Sequence, residues 1–373
     1  MKVLRLLAIL IFASLVLPAQ TPVTPAQPPA TGAINGHVFL GDSHLPARMA
    51  WVTLLPTVPP PVNGFNMHNT DSQSKSAPTQ LDGSFTIRNV IPGSYYVLAE
   101  KEGYVSPIRL PFGTISSLSK EEQDSLPTLL TTITVIANRA TNVEITLPKG
   151  AAISGRVRFD DGLPDTEASV SVLHKDKSGK WVPYCPVLNY YMQTGGDGTD
   201  DRGDFRIPGL PAGEYLLSVS LEDWGSNYSI DIYYGDVTRL KDAKSIKVKD
   251  GEESSGNNIV IPLGKLHSVS GTVISAETGE KVMAEFVQLH DADDDSTVAG
   301  TSAIVGQGEF RFPYVPEGKY TLKASGLVMD LHRDGLKPAR EYLDASQFLI
   351  VKGETNGVTI QVKPKPAAAT ATQ

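Results

Sequence analysis

Chemistry needs titratable, nucleophilic or ring-bearing side chains gathered in one place, and four groups in this sequence qualify. The first is acidic. Asp291, Asp293, Asp294 and Asp295 share one run, HDADDDSTVAG at 290–300, and Asp197, Asp200, Asp201 and Asp204 share another, TGGDGTDDRGD at 194–204. Carboxylates crowded on a loop are the donors that calcium takes, so Asp291, Asp293, Asp294 and Asp295 are a weak candidate calcium loop. Neither run has the D-x-D-x-D-G order with a distal glutamate, and aspartates also favour turns for their own backbone hydrogen bonds. The second group is the seven histidines, His37, His44, His68, His174, His267, His290 and His332. None falls in H-x-x-E or H-E-x-x-H, so no metal site is expected of them.

The third group is nucleophilic. There is no G-x-S-x-G elbow, and the glycines at 194–204 are not followed by the Lys-Ser/Thr pair of a phosphate loop. The lone cysteine, Cys185, excludes an internal disulfide and reads as a small buried hydrophobe. The fourth group is aromatic and carries the most weight: Trp181, Tyr184, Tyr190, Tyr191, Trp224, Tyr228, Tyr233 and Tyr234 crowd two variable segments, WVPYCPVLNYYMQTGGDGT and DWGSNYSIDIYYGD. A flat apolar ring with a polar edge suits stacking on a sugar or packing in a protein interface. The same rings also suit packing of long loops onto a domain. They are the candidate ligand-binding residues. No catalytic residue, cofactor or resident metal is expected.

These segments hang on a repeated frame. LDGSFTIRNVIPGSYYVLAE at 81–100, DRGDFRIPGLPAGEYLLSVS at 201–220 and GQGEFRFPYVPEGKYTLKAS at 306–325 align without gaps. Each carries a turn glycine (Gly83, Gly203, Gly308), a phenylalanine (Phe85, Phe205, Phe310), a second glycine (Gly93, Gly213, Gly318) and a tyrosine (Tyr95, Tyr215, Tyr320). Apolar residues recur at every second position on both sides of the proline-glycine turn, which is strand periodicity. Each window therefore predicts a β-hairpin with one face buried.

The repeat extends outward. AINGHVFL, AISGRVRF and SVSGTVIS open three modules with Gly36, Gly155 and Gly271, and NVEITLP, NIVIPLG and GVTIQVK close them. The opening glycines stand 119 and 116 residues apart, a domain repeat rather than a solenoid. The expected organisation is a signal peptide at 1–20, a proline-rich linker at 21–32, modules at 33–148, 149–264 and 265–363, and a low-complexity tail at 364–373. Prolines in the 56–79 insert forbid a central strand there. Ser119 followed by Glu122 predicts a capping box and a short helix. Strands with almost no helical periodicity predict an all-β chain of three antiparallel sandwiches, about seven strands each.

The N-terminal MKVLRLLAILIFASLVLPAQ has a basic start and an apolar run from Leu6 to Leu17, shorter than the roughly 20 residues that cross a bilayer. It reads as a secretory signal, so the chain is expected outside the cytoplasm, periplasmic or secreted. A net charge of −8 argues against nucleic acid, which needs a basic patch.

The order G-x-V, then D/R-x-G-x-F-x-I/F, then P-x-G-x-Y-x-L resembles the carboxypeptidase regulatory-like domain. That resemblance spans 33–363 and implies a transthyretin-like (prealbumin-like) β-sandwich related to carbohydrate-binding-like domains. Members occur as accessory domains of exported proteins. The matched positions are all turn or core residues and carry no catalytic group. Transthyretin-like hydrolases end in a Y-R-G-S-type tail, where this chain has PAAATATQ. The reading is a non-enzymatic, exported binding or structural protein whose partner is an envelope or extracellular protein or polysaccharide. The rivals are a carbohydrate-binding protein proper, using the aromatic loops of the second module, and a hydrolase or peptidase accessory subunit.

Overall fold

A computed structural model describes residues 30–58, 75–108, 115, 118–184, 198–223, 228–303, 308–325 and 341–366. The first sandwich comprises β1 (Gly32–Leu40), β2 (Trp51–Pro56), β3 (Lys75–Pro78), β4 (Ser84–Val90), β5 (Gly93–Glu100), β6 (Thr131–Val135) and β7 (Ala140–Leu147), with helix α1 (Lys120–Leu129) between β5 and β6. One sheet has the order β4-β1-β7 and the other β3-β2-β5-β6. Alternate residues of both meet in one core, including Ile34, Val52, Phe85, Val97, Ile133 and Val143. Strand alternation puts every second side chain on that inner face.

The second sandwich repeats the plan with β8 (Ala151–Phe159), β9 (Ser169–Lys175), β10 (Trp181–Tyr184), β11 (Asp204–Leu210), β12 (Gly213–Asp223), an extra strand β13 (Tyr228–Tyr233), β14 (Ile246–Val248), β15 (Glu253–Ser254) and β16 (Ile259–Ile261). The third uses β17 (Leu266–Ser275), β18 (Phe286–Asp291), β19 (Thr297–Thr301), β20 (Glu309–Pro316), β21 (Gly318–Ser325), β22 (Ala345–Val351) and β23 (Thr355–Val362). Within each sandwich the opening and closing strands pair in parallel, β1 with β7, β8 with β15 and β16, and β17 with β23; the other pairs are antiparallel.

The repeated windows are not hairpins. β4 pairs with β1 and β5 pairs with β2, so the proline-glycine turn carries the chain from one sheet to the other. The second and third windows do the same. Alternation reports that one face of each strand is buried. It is satisfied equally by two strands side by side and by two strands facing each other across a core. The tyrosine decides the geometry. Tyr95 Oη donates to the Ile91 carbonyl at 2.9 Å, and Tyr215 and Tyr320 donate to Pro211 and Pro316 at 2.8 Å each. This is the tyrosine corner of immunoglobulin-like sandwiches, which ties a crossing strand to the turn before it.

The opening glycines have an equally local cause. Phe85, Phe205 and Phe310 stand directly opposite Gly36, Gly155 and Gly271 in register. A Cβ on those glycines would lie 2.4, 2.2 and 2.1 Å from the carbonyl oxygens of Val143, Asn257 and Val358, and within 3.0 Å of the phenylalanine rings. Only glycine lets the ring and the parallel closing strand approach together.

The first sandwich has a second, smaller core on the outer face of β2 and β5. Leu55, Tyr96 and Leu98 pack with Ile108, Ile115, Leu118, Leu126 and Leu130. The helix that supplies Leu126 begins at the expected capping box: Ser119 Oγ accepts from the Glu122 amide, and Glu122 Oε2 accepts from the Ser119 amide at 2.8 Å. Glu100 ends β5 with its carboxyl accepting from Ser106 Oγ at 3.0 Å. Burial pushes that carboxyl from 4.5 up to about 7, against the pull of the Ser106 bond.

Gly36→Ala should destabilise the protein to urea by about 2–4 kcal/mol, because backbone must move to admit the methyl group. Gly353→Ala, where nothing lies within 4 Å, should be neutral or stabilising by up to about 1 kcal/mol; equal effects at the two sites would discount the close approach. For Glu100 the folded state holds its proton more tightly than the unfolded state, so stability falls as pH rises from 4.5 to about 7. Glu100→Gln should remove about 3 kcal/mol of that fall in a stability-versus-pH series.

Candidate binding groove at the junction of the second and third sandwiches

The extra strand β13 makes the site possible. It pairs with the end of β12 from Ser218↔Tyr233 to Asp223↔Tyr228, and on its other side meets β19 at Ser229↔Gly300. The facing sheets of the second and third sandwiches thereby join into one sheet with the order β10-β9-β12-β13-β19-β18-β21-β22. Ile232 packs into the second core and Ile230 into the third, while Leu221 and Tyr314 touch both.

Charge closes the same joint. Asp291, at the end of β18, is only 1% exposed, and Arg239 Nε from the second sandwich lies 2.9 Å from its Oδ2. Arg239 Nη1 also lies 3.5 Å from Asp293, and Lys241 Nζ lies 3.2 Å from Asp294. Asp295 takes Lys323 Nζ at 2.7 and 2.9 Å on its two oxygens. Asp294 Oδ1 also accepts from the Ser296 hydroxyl and amide, at 2.6 and 3.0 Å. Those bonds, with Lys241, hold the Asp294 carboxyl down at about 2. The four aspartates read as a calcium loop are thus each met by a cation of the chain. Among the described residues no group of three or more acidic, histidine or cysteine side chains is placed to hold a metal ion. A buried carboxylate is costly unless paired, and Arg239 supplies the pair across the module boundary.

The other acidic run is turn chemistry. Asp200 Oδ1 accepts from the amides of Arg202 and Asp204 at 2.9 and 2.8 Å. Asp204 holds Arg156 through two bonds at 2.6 and 2.9 Å, which keep its carboxyl below the usual range. Asp197 lies outside the described residues.

The aromatic set does not form one face. Trp181 and Tyr184 are three apart on β10, so they point to opposite sides. Tyr184 turns inward, edge-on to Tyr215 at 5.7 Å and to His174 at 5.2 Å. Tyr234 packs against the second core. Tyr233 Oη lies 3.4 Å from Asp231, and burial followed by that carboxylate pushes its phenol upward. Tyr228 sits on β13 opposite Asp223. Tyr190, Tyr191, Trp224 and Cys185 lie outside the described residues.

Trp181 turns outward with Lys175, its register partner, whose Nζ lies 4.8 Å over the indole. It lines a groove of about 410 Å³ with Leu216, Arg239, Lys241, Ser245 and, from the third sandwich, Asp294. The groove thus combines an aromatic wall, an apolar floor and a rim of hydroxyl and charged groups, a composition that suits an uncharged polar ligand or a polypeptide. Arg239, Lys241 and Ser245 were not singled out in the sequence. The usable signal was complementarity between RLKDAK at 239–244 and DADDD at 291–295. A larger hollow, about 550 Å³, lies on the first sandwich between Asn35, Ser84, Thr86 and Asn142, where none of the aromatic candidates reaches.

No family model matches the chain, and no curated protein matches it. Solved structures do. One is a streptococcal ancillary pilin, 12% identical, with 89% of this chain and all of that one covered, at a TM-score of 0.27. Another is the minor pilin GBS52 of Streptococcus agalactiae, 14% identical over 62% of this chain and 95% of that one, at 0.28. A third is the Bacillus anthracis TIE protein, 14% identical over 90% of this chain but only 51% of its own length, at 0.22.

Proposed function

We propose that the chain is an exported, non-enzymatic binding and structural protein. Its modules, 33–148, 149–264 and 265–363, act as a scaffold for an envelope or extracellular partner, and the groove beside Trp181 is its contact surface. The observation that carries this reading is the construction of the groove. Trp181 and Leu216 stand on strands of the joined sheet, and the loop residues that complete the walls are tied across the two sandwiches by the Arg239–Asp291 and Lys241–Asp294 ion pairs, so the groove's shape is held by the joint itself. Among the described residues no helix is long and apolar enough to cross a membrane, and the chain reaches its partner through the signal peptide expected at 1–20.

A binding experiment with two arms tests this reading and assigns the ligand class. The exported protein is presented to envelope proteins and, separately, to a panel of cell-wall and extracellular polysaccharides. Trp181→Ala should weaken the productive arm at least about ten-fold, the loss of one stacking or buried aromatic contact, while circular dichroism stays unchanged. Capture by a polysaccharide would assign the groove to sugar, and capture by protein alone to a protein partner. Binding that survives Trp181→Ala would move the contact surface elsewhere.

A further inference from the structure

The joined sheet ends in two unlike edges. At one end β10 carries Pro183, which has no amide hydrogen and blocks strand addition. At the other end β22, ASQFLIV, contains no charge and no proline. Among the described residues β22 pairs with β21 on one side and with no strand on the other. Phe348 is 58% exposed and Ile350 47%. An apolar, uncharged free edge is the kind of strand that recruits another.

The residues flanking this edge narrow the choice of occupant. Written out with its neighbours the segment reads DASQFLIVK, with Phe348 at its centre, Asp344 four residues before and Lys352 four residues after. Ser346, Phe348 and Ile350 share one face of the strand, and the exposed Asp344 and Lys352 stand immediately before and after its two ends. In an antiparallel pair about a two-fold axis at Phe348, each residue faces the one equally far on the other side of the centre. That register sets Asp344 of each copy opposite Lys352 of the other, places the two Phe348 rings together, and brings Ile350 opposite Ser346. Opposite charges directly across a strand pair are favourable and like charges are not. The pattern is self-complementary, as an isologous interface requires.

We propose that β22 is a self-association edge, and that two copies of this chain pair antiparallel through it about an axis at Phe348, extending the joined sheet across the dimer. The edge-to-edge step already occurs within one chain, where β13 meets β19. With β10 blocked by Pro183, the mode closes as a dimer and does not propagate into a filament.

Sedimentation velocity of the exported protein, with reductant present to exclude a Cys185 disulfide, tests this. A reversible dimer is expected with a dissociation constant on the order of 10⁻⁵ M, typical of a small interface. Phe348→Lys should weaken it at least about ten-fold by placing like charges together at the axis. Lys352→Asp should weaken it, and adding Asp344→Lys to that variant should restore it. These side chains are exposed, so thermal unfolding should be unchanged in all three variants. A monomer at every concentration up to about ten times that constant would overturn the proposal. So would a dimer indifferent to Phe348→Lys, or a charge swap that fails to rescue.

Discussion

Three contacts of one kind organise the chain: a phenylalanine ring from one neighbouring strand is laid against an opening-strand glycine while the closing strand passes close on the other edge. With 2.1–2.4 Å between a hypothetical Cβ and a neighbouring carbonyl oxygen, no other residue type fits at Gly36, Gly155 or Gly271. The close approach holds the opening strand between an antiparallel partner and a parallel one, which makes it the centre of its sheet. The tyrosine corner then fixes how the chain leaves that sheet for the other. Between them these two devices account for why the same twenty residues are written three times.

Most of this was legible in the sequence because it is local. Glycine before phenylalanine, glycine before tyrosine, and strict alternation are short-range patterns, and each maps onto an observed strand or turn. The capping box at Ser119 was legible for the same reason. What alternation cannot carry is which strand lies beside which. Phe85 and Val97 face the same core from opposite sheets, and their spacing would be the same in a hairpin. The parallel pairing of β1 with β7 was hidden likewise, since it joins residues about a hundred positions apart.

The site was legible only in part. Trp181 was visible as an aromatic in a variable segment, but its opposition to Tyr184 depends on β10 forming at that place. The aspartates were visible as a cluster, yet Asp291, Asp293 and Asp294 find their counter-charges in Arg239 and Lys241, more than fifty positions earlier. A row of carboxylates and its counter-charges become one feature only after β13 has brought the second and third sandwiches edge to edge. Asp291 shows the consequence. Its burial is tolerable because the guanidinium beside it comes from the neighbouring module.

The first sandwich meets the second on different terms, through the chain itself, the Gly150–Gly103 backbone bond and the exposed Lys149–Asp42 and Lys177–Glu121 pairs. The second and third share a sheet and a buried ion pair. Scanning calorimetry of the protein tests that difference most directly. The account predicts two transitions, one for the first sandwich and a larger one in which the second and third unfold together. Asp291→Asn should split the larger transition. Three separate transitions in the unmodified protein would contradict it.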